Sequence, residues 1–98
     1  MEKEEAQRIL RDANPEQCFW VNNGPVLKNL DGLSKALAEM NKDAFKHHAN
    51  KEKNDFSSWV RDILGDQKLA EDIAKIKSKS AIAAKVKQRL QQLKKIAA

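Results

Sequence analysis

A single cysteine, Cys18, is all the thiol this 98-residue chain carries. It cannot close an intramolecular disulfide, and with only His47 and His48 beside it no set of three or four zinc-type ligands is spelled out. No apolar run is long enough to cross a bilayer and no basic-then-apolar leader is present, so neither a membrane span nor a secretory signal is expected. A reducing cytoplasm is the expected setting. Glycines are also few, and the one glycine-bearing turn with a phosphate-cradling look, Asn22-Asn23-Gly24-Pro25, lacks the further glycines and the Lys-Ser/Thr of a P-loop. The remaining absence is the most informative one. Residues 73–98 contain no Asp or Glu.

That stretch carries eight bases and is formally +8, whereas the preceding 72 residues hold 11 bases against 14 acids and are formally −3. The net charge of +5 is therefore a difference between two unlike parts. Clustered Lys and Arg attract phosphate before contact, so the polarity defines a class of partner, the polyanions. A lysine-rich helix face is ordinarily only a solvated face. A merely solubilising helix, however, mixes both signs, and this one does not.

A chain of this length builds one modest core, and its apolar residues fall in short periodic runs, which predicts an all-α, single-domain bundle of about five to six short helices. The order expected is an N-terminal helix in 1–13 stopped by Asn14-Pro15, a core over 14–76 and a basic C-terminal helix over 78–98. Between Cys18 and Leu27 the pattern predicts an extended aromatic loop plugging the core with Phe19 and Trp20; two very short strands are the alternative. Leu30, Leu33, Leu37 and Met40 fall on one helical face behind an Asn29 N-cap, with Gly32 costing about 1 kcal/mol against alanine. A short helix after Asn41 turns Phe45 and one of the two histidines inward. Phe56, Trp59, Val60, Ile63 and Leu64 form the next apolar face, which ends at Gly65 as a left-handed terminus, with Asp66 capping the following helix. Residues 67–97 are helical throughout or broken near Ser78-Lys79-Ser80, with Ser78 or Ser80 as the second cap. The apolar residues from Phe19 to Ile76 are expected to form the core without the tail.

Chemistry is sparse on this pattern. Adjacent histidines on a helix point about 100° apart and rarely share an ion. Cys18 beside Phe19 and Trp20 reads as an inert buried thiol, and Asp55, Arg61, Asp62 and Asp66 as caps and surface pairs. No catalytic residue, metal, cofactor or small-molecule substrate is expected. Trp20 and Trp59 both read as core aromatics, which leaves base stacking out of the mechanism.

The strings FWVNNGPVLKNL, FKHH and KNDFSSWVRDILGDQKLAEDI, followed by a basic helix, resemble a family of small domains of unknown function, mainly archaeal, over about residues 17–95. Its most specific part runs from Lys53-Asn54-Asp55-Phe56 through Trp59-Val60-Arg61-Asp62 to Leu64-Gly65-Asp66. The resemblance implies an all-helical module that stands alone or is attached to other proteins; Gly32 is atypical where a helix former would be expected. It carries over no catalytic residue.

The expected function is accordingly non-enzymatic binding, with the C-terminal helix docking on RNA or a ribonucleoprotein such as the ribosome through Lys79, Lys85, Lys87, Arg89, Lys94 and Lys95. Arg89 lies close to the apolar stripe and has a second option, pairing with an acid of the body. The alternative is a homodimer, or an acidic protein partner, packed on the Ile82–Ala97 stripe. A helix-turn-helix about Gly65 is weaker, because Glu71 and Asp72 occupy the exposed side of its second helix.

Overall fold

Five asparagine, aspartate and serine caps punctuate the chain, and the helices begin where they stand. In the computed structural model, which describes residues 1–98, Asn29 Oδ1 accepts from Gly32 N–H at 2.7 Å and opens α2, Leu30–Glu39. Asn41 does the same for α3, Lys42–His48, and Asn54 for α4, Asp55–Trp59, which continues as a wider π-helical turn over Val60–Leu64. Gly65 follows with φ of 81°, the left-handed conformation that glycine adopts without steric cost. Asp66 then caps α5, Gln67–Ala74, by accepting from Leu69 N–H at 3.2 Å. Ser78 caps α6, Lys79–Ala97, so residues 67–97 form two helices separated at 75–78.

The N-terminal helix, α1, is shorter than its sequence suggests. It spans Lys3–Leu10 and stops before the proline: Arg11 is extended, and Ala13 N–H is taken by the Lys28 carbonyl at 2.6 Å, beside the entry to α2. A single 3₁₀ turn, Pro15–Gln17, leads into the aromatic segment. There the expected loop is instead a minimal antiparallel hairpin, β1 at Phe19–Trp20 and β2 at Val26–Leu27, in the register Phe19 to Leu27 and Trp20 to Val26. Alternation along a strand decides the two aromatics' fates. Phe19 turns inward, stacks on Phe56 at 5.3 Å and meets Trp59 edge-on at 5.6 Å, whereas Trp20 turns outward and is 73 % exposed. The expectation that Trp20 plugs the core is thus corrected; Trp59, buried and donating Nε1–H to the Gln17 carbonyl at 2.8 Å, does so.

One continuous hydrophobic cluster runs from Ala6 to Leu93 and takes side chains from every helix. The C-terminal helix is part of it. Ile82, Val86, Leu90 and Leu93 are buried, and α6 packs chiefly against α2 and α1. The chain is an all-α domain of six helices with one two-stranded ribbon, and its core is not complete without residues 78–98.

Candidate anion-binding surface

The six basic residues singled out on the tail divide by what they touch. Arg89 is inside: its guanidinium donates to both carboxylate oxygens of Asp66, at 2.7 and 3.0 Å, and to Gln92 Oε1 at 2.9 Å. With side-chain exposures of 9 % and 2 %, the pair is shielded from solvent, so Arg89 ties α6 to the start of α5 and is not presented to a partner. Lys79 is half-buried, and its Nζ donates to the carbonyls of Leu37 and Met40, at 3.3 and 2.9 Å, which satisfies the C-terminal end of α2. Lys94 is exposed and leans on Asp31 at 3.4 Å. Lys85, Lys87 and Lys95 are exposed and touch no carboxylate, flanking an outer ridge of Ala84, Gln88 and Gln91. The apolar stripe assigned to a dimer faces the protein's own α1 and α2.

A denser group of lysines lies at the other end of α6. A concavity of about 690 Å³ opens between α3, the segment after it, and the α5–α6 junction. Lys42, Lys46, Lys51, Lys77 and Lys79 line it over a floor that includes Phe45 and Ala49, with Ser78 and Ser80 at its edge and no acidic side chain in the lining. Of the nearest acids in sequence, Asp43 lines another concavity, and Glu52 lines a neighbouring one that Lys51 and Lys77 share. Elsewhere Lys28, Lys35, Lys53 and Lys68 find carboxylates, whereas Lys42, Lys46, Lys51 and Lys77 pair with none. Of this group only Lys79 was visible as a site residue in the sequence. Lys42 and Lys46 stand one helical turn apart and share a face with Phe45 and Ala49, a periodicity that places them together; nothing in the sequence brings that face to Lys77.

His48 is the inward histidine and His47 the exposed one, their rings 4.8 Å apart and nearly perpendicular. The His48 Nε2 accepts from Asn22 N–H at 2.9 Å, so the proton sits on Nδ1 and is donated to Asp55 Oδ2 at 3.0 Å. Burial works to raise the Asp55 carboxyl, but hydrogen bonds from His48 and Lys53 outweigh it and hold it below the ordinary carboxylate range. Both ring nitrogens are thus spent on fastening the hairpin to α3 and α4. Cys18 is half-buried and contacts the Asn14 carbonyl at 3.5 Å.

A model for a family of unknown function (DUF5752) matches residues 22–93, which takes in the hairpin turn, the α3 lysines and α6 as far as Leu93. No curated protein and no solved structure matches the chain.

Proposed function

Since the chain belongs to DUF5752, a family of unknown function, its role is read from its own surface, and we propose that it binds RNA, free or on a ribonucleoprotein, through phosphate contacts from two groups of lysines that pair with no carboxylate. The observation that carries this is the concavity lined by five lysines and no acid. Like charges held together repel one another, and a fold that pairs Lys42, Lys46, Lys51 and Lys77 with no carboxylate leaves that repulsion to be relieved by an incoming polyanion. The second group, Lys85, Lys87 and Lys95, extends the positive track along α6, a helix of 19 residues and thus about 28 Å long. Phosphate contacts of this kind supply affinity with little sequence readout.

Titration of a fluorescent 20-nucleotide single-stranded RNA by anisotropy tests this. Reversing Lys42, Lys46, Lys51 and Lys77 to Glu, or Lys85, Lys87 and Lys95 to Glu, is expected to weaken binding by more than about tenfold at moderate salt, since each lost phosphate contact removes a counterion-release contribution. Reversing Lys28 and Lys35, which are paired with Asp12 and Asp31, is expected to change it far less. Effects that simply scale with the number of charges reversed across the three sets would show net charge at work and not a site. No binding by the parent at low salt would end the proposal.

A further inference from the structure

We infer that the concavity at the α3–α6 corner is a seat for the terminal phosphomonoester of an RNA chain, while the outer ridge of α6 takes internal phosphodiesters; the inference rests on the RNA-binding proposal above. The two lysine groups differ in arrangement. Along α6, Lys87 and Lys95 are eight residues apart and so about 12 Å along the axis, far enough to meet separate, singly charged phosphates. At the corner, Lys42 and Lys46 from α3, Lys51 from the following segment and Lys77 from the α5–α6 junction converge on one concavity. A single phosphodiester brings one negative charge to such a cluster. A phosphomonoester brings about −1.5 to −2 at neutral pH and three acceptor oxygens, a closer match to several ammonium groups in one place. The Ser78 and Ser80 hydroxyls lie 2.9 Å from each other at the rim, and both line the concavity. The apolar floor at Phe45 and Ala49 gives the sugar or base attached to that phosphate a surface to rest on. The chain end enters as a ligand only, and no bond is made or broken.

Three unlabelled ten-nucleotide RNAs of one sequence, ending in hydroxyls, in a 5′-phosphate or in a 3′-phosphate, distinguish the possibilities by calorimetry with the full chain. One of the phosphorylated forms is expected to bind about tenfold more tightly than the hydroxyl form, and K46A/K77A to erase that preference while K87A/K95A weakens all three alike. The preference is also expected to shrink as pH falls below about 6, where the monoester takes up its second proton. The groups facing the seat are Lys42, Lys46, Lys51, Lys77 and Lys79, and no histidine or carboxylate lines it. All four substituted lysines are exposed, so thermal melts like the parent's are expected for both variants. Equal affinity for the three RNAs, or a preference that survives K46A/K77A, would overturn the seat and leave RNA binding standing. No binding of any of the three would overturn both.

Discussion

Replacing Asp66 by Asn separates two jobs that one side chain performs. Asn is as good an N-cap as Asp, so the bond from Leu69 N–H is retained. The ion pair is not: the new amide group meets the Arg89 guanidinium donor to donor, and the buried cation keeps only one oxygen of residue 66 and Gln92 Oε1. Both side chains are shielded, so the loss falls in the class of a broken buried pair, about 3–5 kcal/mol. A domain of 98 residues has a total stability of about 5–15 kcal/mol. At a urea slope of about 1–3 kcal/mol per molar, D66N should lower the denaturation midpoint by at least about 1 M, and R89M, which strands the carboxylate, by a similar amount. The double variant D66N/R89M leaves neither charge unpaired. It should be more stable than the sum of the two single losses allows, by about 0.5–3 kcal/mol. Additive losses, or single losses below about 1 kcal/mol, would refute the coupling and return Arg89 to the set of residues available to a partner.

Trp59→Ala should cost about 3–5 kcal/mol in the same assay, whereas Trp20→Ala, at a 73 % exposed side chain, should stay within about 0.5 kcal/mol; the reverse ranking would show the hairpin register to be wrong. Asp55 is held below its unfolded pKa of about 3.9, so its contribution is present above that value and lost as pH falls through the folded one. The parent's urea midpoint should therefore drop between about pH 5 and pH 3, with a shallower drop in D55N; superimposable acid limbs would contradict this. Truncation after Lys77 removes the buried Ile82, Val86, Leu90 and Leu93, each worth about 1.5–3 kcal/mol, which together matches the stability of the whole domain. The truncated chain should be unfolded by circular dichroism, and a cooperative melt from it would show the core to be complete without α6.

Local signals in the sequence translated directly into structure. Asn29, Asn41, Asn54, Asp66 and Ser78 each announce a helix start because a short side-chain oxygen one residue ahead of an apolar period satisfies an otherwise orphaned N–H, a purely local event. Gly65 ended its helix for an equally local reason. What failed depended on tertiary context. Trp20 and Phe19 are neighbouring aromatics, and only strand alternation, invisible in a two-residue strand, sends one to solvent. Arg89 was legible as a residue near the apolar stripe, but its burial depends on Asp66 being 23 residues away in sequence and opposite it in space. The same holds for the lysine cluster. Charge counting drew attention to residues 73–98, yet the densest site takes Lys42, Lys46 and Lys51 from the part of the chain that is net acidic, because folding sets α3 against the start of α6.

The most direct test of RNA recognition by these lysines is the slope of log affinity against log salt for a single-stranded RNA between about 50 and 200 mM. With roughly four to seven phosphates neutralised at about 0.7 each, the parent is expected to give a slope of about −3 to −5, and the variant with Lys42, Lys46, Lys51 and Lys77 reversed to Glu a slope shallower by about 3. A parent slope near zero, or a slope that the four reversals leave unchanged in a folded protein, would contradict it.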